Sequence, residues 1–221
     1  MDPKFPIIIY EDNHLIAAYK RSGQTVQPEP GKPQSLEEEV KHYLKEKYLK
    51  AGAVFLGVIH RIDMPVSGLV LFARTSKALI RMNEIFHDRA VQKVYLAKVQ
   101  GKPGKQTELL THWLRRDENK NFTKAFTSEV KSSQLAKLTY ELLKTNGKES
   151  LLKIDLHTGR KHQIRAQLSA MGCPVVGDVK YGAGVPLKDQ SIALQSYSLS
   201  FEHPVKLEPI DIVLDHGILK L

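Results

Sequence analysis

Five consecutive apolar residues, Leu69, Val70, Leu71, Phe72 and Ala73, constrain this chain more than any other stretch. A strand with one wet face would alternate; an unbroken short run predicts a strand buried on both faces. Directly before it, in HRIDMPVSGLVLFAR, the chain places His60, Arg61 and Asp63 within four residues. An imidazole, a guanidinium and a carboxylate at the mouth of a core strand are costly unless they are paired. Asp63 therefore has two readings. It caps the Met64-Pro65 bend into the strand, or it is a carboxylate kept there for chemistry.

The remaining pattern predicts many strands and few helices. Residues 5–10 and 15–20 read as short strands around the turn residues Asp12-Asn13. A proline- and glycine-rich loop covers 23–33. Ser35 then opens a helix with Glu38 as its capping-box partner, and Leu36, Val40, Tyr43, Leu44 and Tyr48 share one face before Gly52. An apolar stretch at 54–59 leads into the charged segment. A second helix starts at Ser76 with Leu79, Ile80, Met82 and Phe86 inward, and residues 93–100 alternate as a half-buried strand. From Trp113 to Lys131 the periodicity fades while Arg115, Arg116, Lys120, Lys124 and Lys131 accumulate. Strands resume at 136–144 and 151–156 about an Asn146-Gly147 turn, a short helix is expected over 160–171, and a last strand over 192–201. Hairpin-like neighbours outnumber crossovers. The expected fold class is α+β, a mostly antiparallel mixed sheet with a few flanking helices, and the absence of a long linker predicts a single domain over 1–221.

Charge narrows the partners. Lys plus Arg number 33 against 24 Asp plus Glu, a formal charge of +9, which favours an anionic partner and nucleic acid first. Cys173 is the one cysteine, so a disulfide framework or a cysteine-based zinc cluster is excluded and a reducing, cytoplasmic setting is expected. No apolar run approaches the roughly 18 residues of a membrane span, and the opening lacks a secretory signal. No Walker loop is present, and Gly182-Ala183-Gly184 lacks the rest of a dinucleotide fingerprint. The histidines form no metal-binding pair, so no metal is expected. His60, Asp63 and Ser67 have the residue types of a hydrolytic triad but lie too close along one loop to converge as one.

A second charged stretch, LHTGRKHQIRAQL over 156–168, places Arg160, Lys161, His162 and Arg165 at an expected helix start. Free backbone N–H groups and cations there suit an anion. Ile164 and Leu168 mark the buried side, so Arg165 is expected near the core edge, in need of a partner such as Asp63.

At this point the motifs add up to a resemblance. HRIDMPVSGLVLFAR resembles the HRLDxxTSGLLLxAK signature of RluA-type pseudouridine synthases. KVYLA at 93–97 is similar to the family's K-x-Y-x-A strand, TGRKHQIR at 158–165 to its TGRxHQIR, GDVKYG at 177–182 to its GDxxYG, and LSFEHP at 199–204 to its LxFxHP. The opening YEDNHLIAAYKRSG resembles EDxxLLVVNKPxG. The likeness runs in order from Ile8 to Pro204.

The resemblance implies an enzyme that breaks the N-glycosidic bond of a uridine in RNA, turns the uracil and rejoins it through C5, with no cofactor or metal. It assigns Asp63 as nucleophile, Arg165 as the carboxylate's partner and Tyr95 as the aromatic that stacks on uracil and takes the C5 proton. Arg61 would fill the space left by a flipped base. Ile192 and Leu194 would make apolar contacts with the uracil, and Arg115, Arg116, Arg160, Lys161 and His162 would meet phosphates. His60 would support the loop. The expected partner is ribosomal or transfer RNA, with no membrane and no obligate protein partner. Val66, Arg21, Gln167, Ser191 and Gln195 depart from the family pattern, which bears on substrate choice, and no room is expected for a separate N-terminal RNA-binding domain. Two other readings compete: an RNA-binding module on an inactive scaffold, and a glycosidase pairing Asp63 with Asp155 or Asp178.

Overall fold

The computed structural model describes residues 5–215. They form eleven strands and three helices in two compact units, and strand pairs joined by hairpins are antiparallel. The fold is α+β, as the pattern predicted. The first unit holds residues 5–91 and 196–215; the second holds 92–195.

In the first unit, β1 (Ile8–Glu11) and β2 (Leu15–Lys20) form a hairpin closed by Asp12, whose Oδ1 accepts the N–H groups of His14 and Leu15. Burial alone would raise the Asp12 pKa, but those N–H groups and the Tyr10 hydroxyl hold it down at about 2. The apolar run is β4 (Ser67–Ala73), which pairs with β2 and with the short β3 (Gly57–Val58). All five of its apolar residues are fully buried, as a run without alternation requires. α1 (Leu36–Lys47) has the expected Ser35–Glu38 capping box and buries Leu36, Val40 and Leu44; its cap falls at Tyr48, short of Gly52. α2 (Ser76–His87) lays Ala78 and Met82 on a core built from Leu15, Ala17, Leu69, Leu71 and Phe201. Ile80, expected inward, is exposed because it lies on the opposite side of that helix from Met82.

The second unit is a five-stranded sheet: β5 (Gln92–Gln100), β6 (Thr107–Asp117), β7 (Phe122–Phe126), β8 (Gln134–Thr145) and β9 (Glu149–Leu156), in the order β5-β9-β8-β6-β7. Asn146 and Gly147 make the turn predicted between β8 and β9, with Gly147 at φ +86° and Asn146 Oδ1 accepting the N–H groups of Lys148 and Glu149. The segment from Trp113 onward, where the periodicity fades, holds the end of β6 and all of β7, which pair as a hairpin. α3 (Gln163–Ala170) covers one face of this sheet, where Ala166 packs with Leu114, Ala136 and Tyr181. β10 (Leu194–Glu202) begins in the second unit and from Ser196 runs in the first, where it pairs with β11 (Pro209–Val213).

Two contacts in the first unit give residues of the family-like motifs a structural role. His203 of the closing motif is fully buried, and its Nδ1 accepts the N–H groups of Val205 and Lys206. Its Nε2 stands 2.9 Å from Asp12 Oδ2, so the opening and closing motifs meet. Gly68 has φ +118°, and a Cβ there would lie 2.2 Å from the Ser196 carbonyl oxygen. Only glycine permits that crossing at the exit of the Asp63 loop.

Candidate active site

The Asp63 loop is a turn whose backbone is pinned from outside. Val66 N–H donates to the Asp63 carbonyl at 3.0 Å and closes the bend that Met64-Pro65 predicted. Met64 C=O then accepts Gly23 N–H at 2.8 Å and Lys20 Nζ at 3.0 Å, and Pro65 C=O accepts the Ser22 hydroxyl at 2.8 Å. The flanking Ile62 and Val66 are buried while Asp63 is half-exposed, so the carboxylate sits on a fixed backbone with access to solvent. His60 is a support, as expected. Its Nε2 accepts Leu71 N–H at 3.1 Å, and its ring stacks on Phe86. Arg61 is exposed, with Nη1 donating to Gln27 Oε1 at 3.2 Å.

Lys20 is the residue that sequence reading missed. It closes β2 fully buried, and its Nζ donates to the carbonyls of Arg21, Gln24 and Met64 at 2.9, 2.7 and 3.0 Å. Three acceptors match the three N–H groups of an ammonium. Burial pulls its pKa down to about 7, and the charge of Asp63 opposes that shift. The attraction is mutual, so a cationic Lys20 favours an ionised Asp63. The signal was present in the alternation: Ile16, Ala18 and Lys20 share one side of a strand, and all three are fully buried. Arg21, where the family pattern has proline, turns outward to Glu39 at 2.5 Å.

In the second unit, Tyr95 is buried on β5 opposite Ile154. The register Tyr95–Ile154–Tyr140 puts it on the same sheet face as Leu110 and His112, the face that α3 covers. Arg165 lies on α3, buried, with Nε and Nη2 donating to the two oxygens of Asp178 at 2.6 and 2.9 Å and its guanidinium over the Tyr181 ring. Asp178, weighed from sequence as the second carboxylate of a glycosidase, is an anchor that binds Arg165 with both oxygens. Gln167, a departure from the family pattern, ties α3 to the sheet by donating to the Leu110 carbonyl and to His112 Nδ1.

The expected helix start at Arg160 is corrected. Gln163 Oε1 accepts the Arg160 N–H and the Thr158 hydroxyl, which closes a loop, and α3 begins only after His162 in a left-handed conformation. His162, expected at a phosphate, is buried with Nδ1 2.8 Å from the Tyr181 hydroxyl. Arg160 Nε donates to the Leu135 carbonyl, and Lys161 is exposed. Ile192 and Leu194 are both buried; Ile192 precedes β10, in a segment fixed by hydrogen bonds of Ala193 to Lys98 and Val176. Arg115 and Arg116 are exposed neighbours on β6 and therefore point to opposite faces. Among the described residues no cluster of three or more His, Cys, Asp or Glu could hold a metal, and no helix is long and apolar enough to cross a membrane.

A family profile described as RNA pseudouridylate synthase matches residues 14–170. A dual-specificity RNA pseudouridine synthase RluA of Vibrio vulnificus is 31% identical over 89% of this chain and 78% of its own. An uncharacterized RNA pseudouridine synthase of Chlorobaculum parvum is 33% identical over 81% of this chain, and ribosomal large subunit pseudouridine synthase C of Rickettsia typhi is 31% identical over 79%. The chain spans 56% of the length of each of those two relatives. The solved structure of human RNA pseudouridylate synthase domain containing 4 shares the fold, with a TM-score of 0.78, 20% identity and coverage of 95% of this chain and 88% of that one.

Proposed function

The chain belongs to the RNA pseudouridylate synthase family, and from that premise we propose that it isomerises uridine to pseudouridine in structured RNA. Asp63 is the nucleophile. The observation that carries this role is its setting: a carboxylate on a turn held by three outside hydrogen bonds, beside a buried lysine whose charge favours its ionised form. An ionised carboxylate can attack the ribose or the uracil and hold the intermediate while the glycosidic bond is broken and the base turns. A fixed backbone keeps that attack in register.

Arg165 is the cation that the resemblance assigns to the carboxylate, and Tyr95 the aromatic that stacks on uracil and accepts the C5 proton. Arg61, exposed beside the nucleophile in sequence, fills the place of the flipped base. Ile192 and Leu194 supply apolar contact, while Arg115, Arg116, Arg160 and Lys161 meet phosphates. The chemistry proposed uses no cofactor. The name of the Rickettsia relative supports ribosomal RNA as substrate; transfer RNA is the second candidate, and the cytoplasm the proposed setting.

The test is Asp63→Asn. It should keep the fold and RNA affinity and abolish pseudouridine formation, read by a pseudouridine-specific chemical adduct in RNA from a deletion strain complemented with either form. Modification at a rate near wild type would sink the assignment.

A further inference from the structure

The β6–β7 hairpin carries a feature on the sheet face turned away from α3. Leu114 and His112 face α3, so Trp113 and Arg115 face the other way. Register places Arg115 directly opposite Lys124, and Trp113 between Phe126 on β7 and Leu135 on β8. The next row on that face pairs Thr111 with Lys137. An apolar row of Phe126, Trp113 and Leu135 is thus bordered by Arg115 and Lys124 on one side and Lys137 on the other, with rows about 7 Å apart.

Like charges directly opposite on paired strands repel. Here both also crowd one ring: the Arg115 guanidinium lies 5.1 Å and the Lys124 ammonium 5.3 Å from the Phe126 centroid. No described carboxylate pairs with either. Arg116, by contrast, lies opposite Thr123 on the α3 face and reaches toward Glu118 at 3.8 Å. The two arginines that sequence reading grouped together serve different faces.

We infer that this outer face is a second RNA site, which takes an unpaired segment of the RNA by stacking a base on the Trp113–Phe126 row and seating flanking phosphates on Arg115, Lys124 and Lys137. Aromatic rings edged by cations suit single-stranded RNA because stacking accepts any base and the cations track the backbone. Tyr95 and Arg165 belong to the opposite side of the same sheet. The site therefore grips a stretch of RNA other than the one carrying the target uridine. The inference rests on the proposed RNA substrate but not on the identity of the nucleophile.

Trp113 is the chain's one tryptophan, so its fluorescence reports this face alone. Titration with a short oligouridylate should quench it in the wild type and equally in Asp63→Asn. Loss of quenching would thus be distinct from loss of catalysis. Arg115→Gln with Lys124→Gln should weaken oligouridylate binding about tenfold and reduce the log–log salt slope by roughly 1.4, two phosphates at about 0.7 each. Phe126→Leu should weaken binding roughly fivefold or more and leave the salt slope unchanged. Tripolyphosphate, which has no base to stack, should compete weakly and leave the fluorescence nearly unaltered. Unquenched tryptophan, an unchanged salt slope in the double variant, or tripolyphosphate matching the oligouridylate would each overturn the inference. Both variants alter exposed or half-exposed side chains, and thermal melts matching the wild type would establish that they fold.

Discussion

Each unit buries a cation among the residues assigned to chemistry, and the two are neutralised differently. Arg165 has a carboxylate: Asp178 takes two of its N–H groups in a fork that a planar guanidinium fits, and Tyr181 covers its face. Lys20 gives its three N–H groups to backbone carbonyls and feels Asp63 through its charge. The arginine fixes a helix to a turn through a two-pronged ion pair. The lysine fixes two loops by their backbones, and it acts on the Asp63 side chain through charge. A buried ammonium without a dedicated counterion is costly, and that cost marks the place where the fold serves reactivity rather than stability.

The largest effect that can break this contrast is on the arginine. Asp178→Asn keeps the shape but leaves a buried guanidinium without that charge, which should cost about 3–5 kcal/mol. For a chain of this size that lowers the melting temperature by about 10 °C, measured by calorimetry. An unchanged melting temperature would mean that another carboxylate balances Arg165.

Lys20→Met should cost less stability and more activity. Three carbonyls lose a donor, which penalises the fold, while the relief of a buried charge offsets part of it, for a net of about 1–3 kcal/mol. Turnover should fall about tenfold or more as the Asp63 turn loosens, and the acidic limb of the rate profile should move to higher pH because the carboxylate loses a favourable charge. Stability gives an independent check. The folded pKa of about 7 lies below the ordinary 10.5, so between those values the unfolded chain holds one more proton. Lysine's burial cost then fades as pH rises through that window. The stability difference between wild type and Lys20→Met should shift in the wild type's favour from pH 7 to 10.5; a flat difference would deny the depressed pKa.

The comparison also shows where sequence was readable. The capping box at Ser35, the Asn146-Gly147 turn and the unbroken β4 run were legible because each depends on neighbours a few residues apart. The β6–β7 hairpin was hidden because both faces of its outer half carry cations, which erases the alternation that marks a strand. The start of α3 was misplaced because Gln163 reaches back to Arg160 and Thr158, a loop closure that mimics a helical first turn in sequence. Lys20 and the Arg165–Asp178 pairing went unseen for a common reason. A charged residue reads as exposed until the fold shows its partners, and theirs lie up to 44 residues away for Lys20 and 13 for Arg165–Asp178.

The smallest effect separates the anchor's ion pair from its scaffold. The Tyr181 hydroxyl accepts the Thr123 N–H at 2.9 Å and lies 2.8 Å from His162 Nδ1, so it joins β7 to the left-handed residue before α3. Tyr181→Phe keeps the ring over Arg165 and the stack on Phe122 but strands a buried N–H and a buried ring nitrogen. That should cost about 1–2 kcal/mol, well below the loss from Asp178→Asn. Because the ion pair and the aromatic face survive, turnover should stay within about twofold of wild type. Hydrogen exchange would localise the change, with the Thr123 amide losing protection while amides of β4 keep theirs. If Tyr181→Phe instead matched Asp178→Asn in melting temperature, the hydroxyl network rather than the charge pair would be what holds Arg165.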